Sequence, residues 1–112
     1  MKENRPWGFF EILFESDIFK VKRILVKPGQ KLSLQSHKKR TEHWTVVQGI
    51  ATITVGDVVK NYGYNQSAYI DKEQKHRLEN NTSNNVQIIE VQCGDYLGED
   101  DIVRYKDDYN RV

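Results

Sequence analysis

A short stretch of this sequence, Gln35-Ser36-His37-Lys38-Lys39-Arg40-Thr41-Glu42-His43-Trp44, gathers side chains that can hold a divalent metal. On an extended strand, residues two apart point to the same face. If Lys31–His37 is extended, Ser33, Gln35 and His37 share one face, and Arg40, Glu42 and Trp44 share a face on the next segment. Two adjacent strands would then present Gln35, His37 and Glu42 towards one point. Farther on, His76 follows a turn in Lys75-His76-Arg77-Leu78-Glu79-Asn80. Imidazole, carboxylate and amide oxygen together suit zinc, iron, cobalt or manganese, and with no thiolate the set does not choose among them. The plainer reading is that the histidines, only three in the chain, are ordinary structural residues. Alternation sends His43 opposite Glu42 and makes it structural, unless a bulge reverses the strand.

The elements that must position these groups read as short strands. Segments rich in β-branched or aromatic residues are Trp7–Leu13, Phe19–Val26, Lys31–Gln35, His43–Val47, Ala51–Val55, Val58–Tyr62, Ser67–Ile70, His76–Leu78 and Val86–Gln92. Turn chemistry separates them at Pro28-Gly29, Gly49, Gly56-Asp57, Gly63 and Gly94-Asp95. The polar run Glu79–Asn85 reads as a long turn, because Asn and Ser bond locally to backbone. Such spacing predicts an all-β sandwich or barrel. The one helical expectation is a short turn over Gly98–Ile102, where acidic residues favour a helix start.

With 112 residues, one domain is expected over positions 1–112. The 17 basic and 16 acidic residues leave a net charge of +1, which gives no reason to expect nucleic acid or membrane as partner. Cys93 is the single cysteine, so no intrachain disulfide can form, which fits a cytoplasmic setting. The amino terminus lacks the apolar stretch of a secretory signal, and no apolar run approaches membrane-span length.

Several stretches in order carry a family resemblance. They are Arg5-Pro6-Trp7-Gly8, Lys27-Pro28-Gly29-Gln30-Lys31-Leu32-Ser33-Leu34-Gln35, Arg40-Thr41-Glu42-His43-Trp44-Thr45-Val46-Val47-Gln48-Gly49, His76-Arg77-Leu78-Glu79-Asn80 and Tyr96-Leu97-Gly98-Glu99-Asp100-Asp101-Ile102-Val103-Arg104. From Arg5 to Arg111 the chain resembles type II mannose-6-phosphate isomerases. More narrowly, it resembles the carboxy-terminal cupin domain of bifunctional phosphomannose isomerase/GDP-mannose pyrophosphorylases. The resemblance implies a cupin double-stranded β-helix with a metal held by Gln35, His37, Glu42 and His76. Four departures stand out. Lys39 replaces a family histidine, Asp71 and Glu73 replace Pro and Gly, Asn110 replaces Gly, and these 112 residues contain no nucleotidyltransferase sequence. GDP-mannose synthesis is therefore not expected of these residues.

The chemistry so implied is interconversion of mannose 6-phosphate and fructose 6-phosphate, a proton transfer between C1 and C2. It needs an electrophile and a base near neutral pKa. Glu90 and Lys39 are the candidate bases. Arg40 and Arg104 are the candidate phosphate partners, with Arg23 and Arg111 behind them, and Ser33 shares the ligand face as a substrate-binding candidate. The expected partner is a small phosphorylated sugar, and a homodimer is expected, with the Trp7–Phe10 segment crossing to a partner or covering a sheet edge. Two other readings stay open: a cupin that binds a sugar or sugar nucleotide without chemistry, and a different metal-dependent lyase or isomerase on the same barrel.

Overall fold

The computed structural model describes residues 2–108. Its strands are β1 (Lys2–Arg5), β2 (Gly8–Glu15), β3 (Phe19–Val26), β4 (Leu34–Ser36), β5 (Arg40–Gln48), β6 (Ala51–Val55), β7 (Val58–Tyr62), β8 (Ser67–Ile70), β9 (His76–Glu79), β10 (Val86–Gly94) and β11 (Val103–Lys106). They form a six-stranded sheet, β1-β2-β3-β10-β5-β8, and a five-stranded sheet, β11-β4-β9-β6-β7, with antiparallel pairing throughout. No helix is present among the described residues, so none could cross a membrane.

Strict alternation in β3, β5 and β10 aims every second side chain inwards. Register then stacks these residues into rows. Val26 pairs with Val86. Ile24 lies beside Ile88, and Ile88 beside Val46. The next row is Lys22, Glu90 and Trp44, and the last is Lys20, Gln92 and Glu42. All eleven of these residues are buried. The barrel interior is thus apolar at one end, where Ile53 and Leu78 join the core, and charged at the other.

Local chemistry enforces this arrangement. Gly8 opens β2 where a Cβ would collide with the Leu25 carbonyl, so only glycine permits that strand approach. Asn80, fully buried, organises the long polar turn. Its Nδ2 donates to the carbonyls of Val26 (2.9 Å) and Asn84 (2.7 Å), and its Oδ1 accepts from the backbone and hydroxyl of Thr82. That uses the full amide inventory.

The structure amends several sequence expectations. β1 and β11 were not foreseen, because these short, mostly exposed strands lack apolar alternation. The Lys31–Gln35 strand begins only at Leu34, and Lys31 keeps an isolated bridge to Glu79. Gly98–Ile102 is a turn and not a helix. Its Asp101 N–H does reach the Gly98 carbonyl (3.2 Å), but the Asp101 carboxylate is drawn sideways to backbone N–H groups of Lys38 and Lys39. Trp7 and Phe10 fill this chain's own core.

Candidate metal centre and cavity

The charged end of the barrel opens into a cavity of about 310 Å³, lined by His37 and Glu42 among others. These two form a buried group with His76 behind the cavity wall, and the ligand-type atoms of the three lie within 4.8 Å of one another. His37 sits just past β4, Glu42 on β5, and His76 at the start of β9, directly opposite Gln35 on β4. Glu42 Oε2 is 3.2 Å from His37 Nε2, and Oε1 is 3.8 Å from His76 Nε2.

Backbone carbonyls set both imidazoles. His37 Nδ1 lies 2.6 Å from the Asp101 carbonyl, and His76 Nδ1 lies 2.9 Å from that of Gln74. A carbonyl can only accept, so each Nδ1 carries the proton and each Nε2 turns a lone pair towards Glu42. Burial, followed by the Arg40 and His76 charges, lowers the His37 pKa to about 4. Burial also lowers that of His76. Neutral imidazoles with outward-anchored Nδ1–H groups and one carboxylate fit a borderline divalent ion. Gln35 lines the same cavity, and its Nε2 donates to Ser33 Oγ (3.0 Å), leaving its carbonyl oxygen as the coordinating end. Ser33, expected as a substrate contact, is buried behind Gln35 and supports it.

Arg40 is buried beside this group. Its Nε donates to Glu42 Oε2 (2.7 Å) and its Nη2 lies 3.2 Å from His37 Nε2. Burial opposes its charge, but Glu42 and Glu90 more than compensate, so the guanidinium stays protonated. Arg40 Nη1 is buried with no partner, as is Arg104 Nε on β11, and both arginines line the cavity. Glu90 lies on β10. Trp44 Nε1 donates to both Glu42 Oε1 (3.0 Å) and Glu90 Oε1 (2.9 Å), while Gln92 Nε2 donates to Glu90 Oε2 (2.6 Å). Burial, then the neighbouring Glu42 charge, raises the Glu90 pKa to about 7.

Lys39 does not join the site. Asp101 holds its backbone N–H, and the exposed side chain places its ammonium over the Tyr96 ring (5.1 Å). The Asp101 carboxylate ties down the β4–β5 turn, and the Lys39 side chain points outwards from it. His43 is exposed on the far face of β5, its ring tilted against that of Tyr69. Arg23 is spent on the outer face with Glu11 and Gln87, and Arg111 and Asn110 lie outside the described residues. Glu73 adopts a positive φ of 64°, and its N–H donates to the His37 carbonyl (2.6 Å).

Sequence reasoning missed Lys22, Glu99 and the clamping role of Trp44. Lys22 Nζ contacts both Glu99 carboxylate oxygens at 2.9 Å. The signal was available: alternation in Phe19–Val26 places Lys20 and Lys22 on the same face as Ile24 and Val26.

Known proteins resemble this chain along almost its whole length. The family model described as "Mannose-6-phosphate isomerase C-terminal" matches residues 1–107. The chain is 52% identical over 111 residues to the xanthan biosynthesis protein XanB of Xanthomonas campestris pv. campestris (strain B100), covering 99% of this chain and 24% of that protein. It is 47% identical over 108 residues to a mannose-1-phosphate guanylyltransferase of Escherichia coli (strain K12), covering 96% of this chain and 23% of that protein. The chain thus spans about a quarter of the length of these relatives. Among solved structures, a Klebsiella pneumoniae protein with a double-stranded β-helix domain superimposes with a TM-score of 0.75 at 20% identity, covering 85% of this chain and 81% of that one. That likeness shows the fold, a double-stranded β-helix of the cupin type. By the extent of its family match, this chain belongs to the family of the mannose-6-phosphate isomerase C-terminal domain.

Proposed function

We propose that this chain is a metal-dependent aldose–ketose isomerase that interconverts mannose 6-phosphate and fructose 6-phosphate. The observation that carries this reading is one cavity lined by His37 and Glu42 of the His37, Glu42 and His76 group, by the buried carboxyl of Glu90, and by two arginines with unpartnered N–H groups. Gln35, His37, Glu42 and His76 would hold the metal ion, whose Lewis acidity polarises the sugar carbonyl when it is bound. Glu90 is the base: it takes the proton from C2 and returns it to C1. Trp44 and Gln92 anchor its two oxygens, so the carboxyl keeps one orientation through the transfer. Arg40 and Arg104 hold the phosphate through charge-assisted hydrogen bonds. The surrounding walls, including buried Trp7 and Phe10, limit water at the open-chain sugar.

A cupin that only binds sugars has two motives, Lys39 and the lack of nucleotidyltransferase sequence among these residues, and the first weakens with Lys39 turned away from the cavity. A role in polysaccharide biosynthesis is part of the same proposal, supported by the likeness to a xanthan biosynthesis protein, and a cytoplasmic homodimer is proposed with it. The test is a coupled assay for fructose 6-phosphate with zinc, manganese, cobalt or iron added, alongside Glu90→Gln. Turnover in the folded wild-type protein and a loss of roughly a hundredfold or more in the variant are expected. Absence of turnover with every metal would overturn the reading.

A further inference from the structure

Beyond the phosphate role of Arg40 and Arg104, the cavity contains a paired lysine and carboxylate that neither the barrel nor the metal group requires. Lys22 is buried at the cavity wall, 4% exposed, on the inward face of β3. Its ammonium lies 4.2 Å from the Phe10 ring centroid and takes both of its carboxylate contacts from Glu99. Glu99 comes from the irregular segment between β10 and β11, and its side chain is half exposed. The two partners therefore differ in kind. The lysine is fixed by a strand, whereas the carboxylate is delivered by a loop at the mouth.

Charge on the cavity wall points the same way. Arg5, Lys22, Arg40 and Arg104 face it, against Glu42, Glu90 and Glu99. Glu42 is engaged by Arg40 and Trp44, and Glu90 by Trp44 and Gln92. Glu99 alone among the three reaches the cavity from outside the strands. Buried Arg40 Nη1 and Arg104 Nε, both without partners, line the same space as Lys22. A planar carboxylate on an ammonium imitates two oxygens of a phosphate, and the surrounding cations suit a dianion better than one carboxylate.

We infer that Lys22, with Arg40 and Arg104, forms the subsite for the anionic group of the ligand, and that Glu99 is an internal anion the ligand displaces. This rests on the reading that the cavity takes a phosphorylated sugar. Lys20 retains other partners when Glu99 leaves: the Leu97 carbonyl at 2.9 Å and Glu15 at 3.3 Å. Exchange therefore strands no second lysine. An internal competitor lowers apparent affinity by the fraction of time it occupies the site. Removing it must tighten anion binding.

The test is calorimetric titration of the full chain with inorganic phosphate, using wild type, Glu99→Gln, Lys22→Met and the double variant. Glu99→Gln is expected to bind phosphate roughly tenfold more tightly, and Lys22→Met roughly tenfold more weakly. In the double variant the gain from Glu99→Gln disappears. Unchanged or weaker binding by Glu99→Gln overturns the inference, as does an equal gain with and without Lys22. If Lys22→Met fails to fold, Glu99→Gln alone still decides the matter. Phosphate binding is read without turnover, so a protein that isomerises mannose 6-phosphate yet shows no competition sinks only this inference. One that shows the competition yet never isomerises sinks only the proposed function.

Discussion

His76 and Leu78 sit two residues apart on the same inward face of β9, both at or below 1% exposure, yet they belong to opposite kinds of interior. Leu78 lies among Val26, Val46, Ile53, Val86 and Ile88, where burial of apolar area stabilises the fold. His76 lies among Glu42, Glu90 and Trp44, where burial costs free energy unless every polar atom finds a partner. The same division runs along β3, β5 and β10, each apolar at one end of its inward face and polar at the other. The apolar half can be accounted for by folding alone. The polar half is held together by hydrogen bonds that stabilise little in net terms and orient side chains closely. A barrel selected only for stability would extend the first half through the second.

Substitutions on either side of that boundary should behave differently. The largest effect is expected from His76→Ala, which removes a ligand candidate. Turnover should fall on the order of a thousandfold or more, and bound metal, measured by elemental analysis, should fall with it. Full metal content in that variant would place His76 with the structural half. Leu78→Ala should do the reverse: a loss of about 3 kcal/mol in urea denaturation, with metal stoichiometry unchanged in the folded fraction.

Glu99 tests the boundary by pH. Burial pushes its carboxyl up, but Lys22 and then Arg40 and Lys20 more than offset this, so its pKa lies below the usual range. A depressed folded-state pKa means stability that is present above the unfolded value and lost as pH falls through the folded one. Wild type should therefore exceed Glu99→Gln in stability at neutral pH, on the order of 1 kcal/mol given the half-exposed carboxylate. The gap should close in acid, as read from denaturation midpoints. A gap that does not change with pH would show that the ion pair contributes nothing.

Glu73→Gly, at φ 64°, should raise stability by up to about 1 kcal/mol, because glycine adopts that conformation without strain. Thermal denaturation measures it, and a loss would mean that the Glu73 side chain has a role the backbone does not reveal. The smallest effect belongs to Lys39→Met. Turnover should stay within about twofold of wild type, since the ammonium sits on the Tyr96 ring outside the cavity. A large loss would return Lys39 to the site.

Much of this layout was legible before the structure. Phe19–Val26, Ala51–Val55, Val58–Tyr62 and Ser67–Ile70 are strands at the expected bounds, because their β-branched and aromatic runs end at strong turn signals. Alternation also placed Gln35, His37, Arg40 and Glu42 inwards and His43 outwards, since no bulge interrupts β5 near His43. What stayed hidden depends on register between distant strands. That Lys22, Glu90 and Trp44 form one row follows from β10 pairing with both β3 and β5, which spacing along one strand cannot reveal. The place of Lys39 was hidden for a related reason: its backbone is held by Asp101, more than sixty residues away in the chain.

The two carbonyls behind His37 and His76 have a consequence for how this centre can change over generations. Many histidine ligands are oriented by a carboxylate, which a single codon change can remove. Here the acceptors are main-chain oxygens of Asp101 and Gln74, present whatever side chain those positions carry. Ring orientation and tautomer are therefore inherited with the path of the backbone. Only an insertion, a deletion or a rerouted loop can erase them.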